Sequence, residues 1–316
     1  MAQETNSPVC LQEQERNRDW LTALAPLLLL GVCYFRWSVL ALVLVGTAAY
    51  MAVAALVDRR ELMFRRLEPA LVTGLLVTFC LPATAPIWTT AIGGGVAALL
   101  TAGVDWAGKR WHWATAPVCP ALAGYLLVRY LFPASVSVYV LPSQWASVDA
   151  VAGATPLDAL TDGGAYEATG RLLTGIHGGA IGEGCALVLL MAAGYLLLRR
   201  RLRWIAPVVM LLTVSGLSWL VWDAPLYSLL CGGVLLGALL LADRVYAPAS
   251  YLGQAATGLL CGGVTVLMRY ATGTDGTAVG VLIACIFGCL WGLAVRRFCT
   301  RAAAKEENFA KTENKC

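Results

Sequence analysis

Long apolar runs alternate along this 316-residue chain with short joints that hold most of its charges. A helix crossing the bilayer core needs about 20 mostly apolar residues, with roughly 17 to 25 tolerated. Ten segments meet that requirement: 19–35, 37–57, 68–85, 87–105 and 115–133, then 180–198, 204–222, 225–242, 252–270 and 277–295. The pattern predicts an all-α membrane protein of about ten transmembrane helices. Five parts follow: an N-terminal segment 1–18, a first five-helix half 19–133, a polar loop 134–179, a second half 180–297 and a charged tail 298–316 expected to be disordered.

An odd number of crossings per half would give the second half the opposite orientation, the geometry of an inverted repeat around a midplane cavity. The stretches that invite pairing are 71–86 and 226–248, each covering the third apolar segment of its half and each ending at a proline.

Composition agrees with the pattern. Hydrophobic residues make up 59%, charged residues 13%, and mean hydropathy is +0.70. A water-soluble domain carries about 25% charged residues, so a soluble enzyme or nucleic-acid binder is excluded. The net charge of +4 reads as a topology signal, because cytoplasmic loops are enriched in Lys and Arg. With a cytoplasmic N-terminus, 19 of the 23 basic residues fall on the inner side, leaving Arg36, Arg129, Arg171 and Arg269 for spans or the outer side. That split predicts both termini inside and the 134–179 loop outside. The N-terminus lacks the basic region of a cleaved signal peptide.

Candidate chemistry is sparse. Of the eleven cysteines most sit in apolar runs, and none forms a CxxC pair. Cys285 and Cys289 share a helix face without further ligands nearby, so helix packing is the expected role. His112 and His177 are the only histidines, which argues against a zinc or haem site. The Gly93–Gly95, Gly232–Gly233 and Gly262–Gly263 clusters are expected to permit close helix packing, and none follows a strand as a dinucleotide-binding loop would. Trp20, Trp37, Trp88, Trp106, Trp111, Trp113, Trp204 and Trp222 read as an interfacial belt. Asp105, Asp223 and Asp243 read as solvated caps at helix ends. Glu183, between glycines at the start of the sixth segment, is a functional candidate because an ionisable group in the membrane is costly unless paired or lining a polar cavity.

The polar exception is the turn Asp149 to Asp158, which contains Gly153-Ala154-Thr155-Pro156. Gly153 permits unusual dihedrals and Pro156 ends regular structure on the far side. The Thr155 hydroxyl is therefore expected to stand clear of the backbone, open to a modifying enzyme.

These residues carry a resemblance. Leu71 to Pro86, Pro120 to Tyr125, Gly153 to Leu157, Gly179 to Glu183 and Leu229 to Ala238 occur in the order seen in the D subunit of the Rnf complex. The chain is similarly like the related B subunit of Na+-translocating NADH:quinone reductase. The resemblance covers about residues 20 to 297. It implies that Thr155 aligns with a threonine to which a flavin transferase links FMN through its phosphate, with Asp149 as the leading acid of that motif and Gly153, Ala154 and Pro156 around it. Ala152 stands where the family pattern has serine or threonine, and Ala116-Pro-Val-Cys119-Pro-Ala replaces an asparagine-bearing segment. The resemblance further implies a bacterial cytoplasmic-membrane subunit relaying electrons between ferredoxin and NAD, coupled to Na+ or H+ movement, with other Rnf-type subunits as partners. Glu183 would lie near the flavin, and there is room for a second, noncovalent one. Alternative expectations are a solute channel or secondary transporter, and a flavin-free scaffold subunit.

Overall fold

Helices run through most of the apolar segments, even with Pro26 inside the first helix and Gly93 to Gly95 inside the fourth, and four segments are cut short where proline or glycine falls near their ends or at a pair of glycines. A computed structural model describes residues 8–57, 63–111, 113, 115–141, 155–163 and 166–313. Among the described residues the first half contains α1 (Pro8–Phe35), α2 (Trp37–Val57), α3 (Met63–Phe79), α4 (Ile87–Trp111) and α5 (Pro120–Leu131). The connecting loop contributes α6 (Pro156–Thr161) and α7 (Thr169–Thr174). The second half contains α8 (Ala186–Leu198), α9 (Ile205–Trp222), α10 (Pro225–Leu230), α11 (Val234–Ala242), α12 (Tyr251–Thr272) and α13 (Thr277–Glu313). The protein is an all-helical, multi-pass membrane protein. Among the described residues, six helices, in α1, α2, α4, α9, α12 and α13, are long and apolar enough to cross a bilayer.

The other four apolar segments are shorter as helices than their hydropathy suggests. The third stops at Phe79 and turns through residues 80–86, where Pro82 and Pro86 cannot donate. The fifth begins only at Pro120, after an irregular approach containing Pro117. The sixth begins only at Ala186, preceded by a 3-10 turn at Ile181–Glu183. The eighth divides into α10 and α11 at Cys231–Gly233, where Gly232 takes φ +65°. That positive φ lies in the left-handed region open to glycine. Apolar length reports an environment, whereas backbone conformation follows the local punctuation. The Gly232–Gly233 pair is thus a helix break and not the close-packing device expected of it. At the far end, α13 continues through Glu313 into the tail expected to be disordered, over 21 residues that hold no glycine or proline. Helix α1 likewise begins inside the N-terminal segment.

The two halves pack their helices in the same pairwise order. Helix α2 lies most extensively on α4 in the first half, and α9 on α12 in the second. Glycines set these distances. A methyl group on Gly94 would strike the Gly46 carbonyl oxygen, and one on Gly124 would strike that of Gly93. In the second half, one on Gly262 would meet the Met210 carbonyl at 2.9 Å and one on Gly280 the Cys261 carbonyl at 2.8 Å. The third apolar segment is broken in each half, at Cys80 in the first and at Cys231 in the second. One continuous core then joins the halves, including Leu24, Phe79, Leu122, Leu189, Leu240 and Val281.

An ionic clamp fastens the halves at the end rich in arginine. Asp19 accepts from Arg199 Nε at 3.0 Å and from Arg201 Nε at 2.5 Å, and Glu15 pairs with Arg201 at 3.3 Å. Asp243, expected to be a solvated cap, is buried at the end of α11 and accepts from Val245 N–H at 3.1 Å. Asp223 is exposed at the end of α9, and Asp105 is exposed within α4. Trp37, Trp88, Trp106, Trp111 and Trp204 are exposed, as an interfacial belt requires, but Trp20 is packed into the core.

Candidate functional site: a cavity below the loop helix

Three of the irregular helix ends, those of the third, sixth and eighth apolar segments, meet one another. Ile181 N–H donates to Leu81 O at 3.1 Å, so the turn that precedes α8 docks on the turn that ends α3. The backbone exposed by the α10/α11 break is held by a buried arginine. Arg269, near the end of α12, donates through Nη1 to Ser228 O at 2.9 Å and through Nη2 to Cys231 O at 2.8 Å. Its Nη2 also lies 3.0 Å from Asp275 Oδ1. Asp275 in turn accepts from Thr277 Oγ1 at 2.7 Å and, through Oδ2, from Gly233 N–H at 3.1 Å. Burial alone would raise the Asp275 carboxyl, but the Arg269 guanidinium and these donors hold it below the usual carboxylate value. Glu183 Oε2 accepts from Ala180 N–H at 3.3 Å, closing its own 3-10 turn beside the break. Glu183 and Asp275 therefore face one narrow space, which Cys80, Tyr125 and Gly233 also line.

Above this junction lies a cavity of about 430 Å³. Its lining includes Thr155, Pro156, Asp158, Arg129, Tyr139, His177, Glu183, Gly232 and Asp275. Thr155 and Glu183, singled out separately in the sequence, thus line the same cavity although the chain between them is long. Asp149, Gly153 and Ala154, the other residues of the expected attachment motif, lie outside the described residues.

Thr155 is held by its own helix. Its Oγ1 accepts from Asp158 N–H at 3.2 Å, and Asp158 Oδ2 accepts from Thr155 N–H at 2.7 Å, a reciprocal capping box completed by Pro156 at the first helical position. The short α6 stays in place by burying Leu157 and Leu160 against Ala224 and Cys231. The helix that the threonine caps is consequently packed on the same structural break that Asp275 contacts through Gly233. Its hydroxyl stands at the cavity wall and is engaged there as a cap.

Two cavity groups have unspent capacity. Arg129 Nη1 donates to the Tyr125 hydroxyl at 2.9 Å and also pairs with the Tyr139 phenol, so its hydrogen-bond partners there are neutral. Burial, reinforced by Glu183, pushes the Tyr139 phenol above its ordinary value, which keeps it a neutral donor. His177 is 3% exposed; its Nδ1 lies 3.0 Å from Gly178 O, while Nε2 is buried with no hydrogen-bond partner among the described residues.

A second cavity, of about 820 Å³, opens at the opposite ends of α5 and α11. It is lined by Arg16, Trp20, Tyr50, Lys109, Trp113 and Asp243 among others. Between the two cavities lie the carboxylate junction and a void of only about 20 Å³. Among the described residues, no group of three or more His, Cys, Asp or Glu is placed to hold a metal ion.

Comparison with known proteins decides the ancestry of this architecture. The model of the NQR2, RnfD, RnfE family matches residues 10–297. The chain belongs to that family. The D subunit of the Na(+)-translocating ferredoxin:NAD(+) oxidoreductase complex of Acetobacterium woodii is 30% identical over 273 residues, covering 83% of each chain. The D subunit of the ion-translocating oxidoreductase complex of Cronobacter sakazakii is 31% identical over 299 residues, covering 79% of this chain and 84% of that one. The proton-translocating counterpart in Clostridium ljungdahlii is 28% identical over 283 residues, covering 83% of each chain.

The family resemblance raises FMN, and the cavity residues fit it. Thr155 offers an oxygen for a phosphoester and Arg129 a positive charge for the phosphate. The cavity volume falls within the about 300–1,000 Å³ usual for small-molecule sites. Sequence reasoning missed Arg129, Arg269, Asp275, Tyr139 and His177 as site residues. Arg129 and Arg269 were legible by the rule applied to Glu183, since both are ionisable groups inside or at the end of an apolar segment.

Proposed function

We propose that this family member is the D-type membrane subunit of an ion-translocating ferredoxin:NAD oxidoreductase complex, and that it carries FMN esterified to Thr155. The names of its relatives support the complex, and the cavity shared by Thr155, Arg129, His177 and Glu183 supports the flavin. The flavin, once attached, would supply one-electron transfer, the part of the chemistry that side chains cannot perform. The chain's own residues would anchor it, balance its charge and separate it from the opposite side of the membrane. Thr155 acts as an anchor and neither gives nor takes a proton.

In this reading the 134–179 loop faces outward, where a flavin transferase reaches Thr155, and both termini lie in the cytoplasm of a bacterium, with the chain in its cytoplasmic membrane beside other Rnf-type subunits. The carboxylate junction keeps the two cavities apart, so any ion using them crosses only when that junction opens. Moving one charge against 100 mV costs about 2.3 kcal/mol, which makes such separation a requirement for coupling. The larger second cavity has room for a second, noncovalent flavin.

In-gel fluorescence of the denatured subunit, co-expressed with a flavin transferase, tests the anchor. Wild type should fluoresce and Thr155→Ala should not; a dark wild-type band would sink the proposal. A solute-channel reading is favoured by the two opposed cavities. It requires flux through the isolated subunit in liposomes, and retained covalent flavin with no flux rejects it.

A further inference from the structure

Two arginines at the end that holds the ionic clamp lack a counter-charge. The chain leaving α8 and the chain leaving α11 meet in a short antiparallel bridge, Leu202 opposite Asp243, with Arg203 N–H donating to Ala242 O at 2.7 Å and Arg244 N–H to Arg201 O at 3.3 Å. Leu202 and Asp243 are buried, whereas the next residues, Arg203 and Arg244, are half-buried and exposed. Arg199 and Arg201 are neutralised by Asp19 and Glu15. Among the described residues neither Arg203 nor Arg244 forms an ion pair, and the Arg203 side chain donates through Nη1 to the Ala247 carbonyl.

The two guanidiniums are near enough to oppose each other. Burial, then the adjacent Arg244, hold the Arg203 guanidinium below its ordinary value, and the attraction of Asp243 offsets them only in part. Asp243 itself accepts from Val245 N–H and also serves Arg16 and Arg201. Helix α9 begins at Ile205, just after Arg203, with no side-chain cap and no acidic residue in its first turn, so its dipole adds to the positive field. A topology signal requires only that arginines stay on one side of the membrane. It does not require one of them to be half-buried against another.

The surroundings are fixed and lie at membrane depth. Tyr246 N–H and Ala247 N–H donate to Asp243 O at 3.0 and 2.9 Å, and Trp291 Nε1 donates to Ser250 Oγ at 2.9 Å, so Arg244 projects from a pinned turn. Helices α9 and α12 both start at this end and both are long enough to span a bilayer. They run parallel, since a methyl group on Gly258 would strike the Ala206 carbonyl and one on Gly262 would meet that of Met210. Trp204 and Tyr251, at their starts, are exposed, as are Val208 and Leu252. A free anion would answer the charge alone, whereas a phospholipid answers the charge and the apolar flanks together.

We propose that Arg203 and Arg244 form a binding site for the phosphodiester of an anionic phospholipid such as phosphatidylglycerol, whose acyl chains continue into the bilayer beside α9 and α12. A phosphate between the guanidiniums relieves their repulsion and gives each a charged acceptor. In a zwitterionic lipid the choline cation offsets that attraction. The site does not depend on the flavin at Thr155, nor on which membrane face carries the arginine-rich end.

The test is native mass spectrometry of the full-length subunit in detergent, titrated with phosphatidylglycerol or with phosphatidylcholine of the same acyl chains. Wild type should bind phosphatidylglycerol more tightly than phosphatidylcholine, and inorganic phosphate at constant ionic strength should not displace it. Arg244→Gln should weaken phosphatidylglycerol binding about fivefold, the effect of one basic residue at an anionic membrane surface. The double variant Arg203→Gln, Arg244→Gln should weaken it further. Arg110→Gln, which removes an exposed arginine in the last turn of α4, should leave it unchanged. Equal losses in Arg110→Gln and Arg244→Gln would reduce the site to diffuse surface charge and overturn the proposal. Displacement by inorganic phosphate would assign the arginines to a free anion and overturn it as well. Equal wild-type affinity for the two lipids would do so without any variant, even if the double variant fails to fold.

Discussion

Arg269 Nη2 lies 3.0 Å from Asp275 Oδ1, and none of the Arg269 side chain is exposed. The same guanidinium caps the carbonyls of Ser228 and Cys231 at the break between α10 and α11. Breaking a buried pair by removing one partner leaves the other charge uncompensated and costs about 3–5 kcal/mol. Arg269→Met should therefore lower the unfolding temperature of the detergent-solubilised subunit markedly. Arg269→Met combined with Asp275→Asn should recover part of the loss, because no charge is then stranded. Additive losses in the two single variants and the double variant would show that the pair is not coupled.

The depressed Asp275 carboxyl sets the sign of a pH effect. Its folded value lies below the ordinary one of 3.8, so its contribution is fully present above the unfolded value and is lost as pH falls through the folded one. Stability attributable to this group should be level between about pH 8 and 5 and decline only below about pH 4. Thermal unfolding across that range should show a shallower acid limb in Asp275→Asn than in wild type. An acid limb of unchanged slope would assign the pH dependence to other carboxylates.

Gly46 and Gly94 allow α2 and α4 to touch, since a methyl group on Gly94 would strike the Gly46 carbonyl oxygen. Overpacking of this kind costs about 1–3 kcal/mol. Gly94→Ala should lower the yield of folded protein and its unfolding temperature. Gly103→Ala, on the same helix with open space around it, should leave both near wild type and serves as the internal comparison.

The Asp19 clamp makes unequal use of its two arginines. The Arg199 side chain is 53% exposed and that of Arg201 18%. An exposed ion pair contributes about 0–1 kcal/mol, so Arg199→Ala should change stability little. Arg201→Ala removes the better-buried bonds to both Asp19 and Glu15 and should destabilise more. Limited proteolysis between the halves would read the difference, and equal sensitivity of the two variants would refute the ranking.

Thr155 serves its helix as well as any group it carries. Replacing an N-cap threonine by alanine costs about 1 kcal/mol, and serine keeps the accepting oxygen. Thr155→Ser should retain the protection of α6 in hydrogen exchange, while Thr155→Ala and Asp158→Ala should each reduce it. Unchanged exchange in both alanine variants would mean that Leu157 and Leu160 alone hold α6 in place.

Hydropathy marked ten apolar segments, of which six are helices long enough to cross a bilayer among the described residues, and the residues that punctuate the others were visible as well. The Gly153-Ala-Thr155-Pro turn and Glu183 could be chosen because polar groups are costly in or beside a membrane, and that rule needs no coordinates. The same rule pointed at Arg129 and Arg269, but with no partner to assign them. Which segments would stop short as helices depended on how the irregular ends cover one another, as Ile181 N–H does on Leu81 O. Backbone groups freed in a membrane must be satisfied by neighbours distant in the chain. The sharing of one cavity by Thr155, Arg129, His177 and Asp275 was likewise decided only by folding. Each of these groups comes from a different element, and side-chain proximity between elements follows from packing that no local pattern encodes.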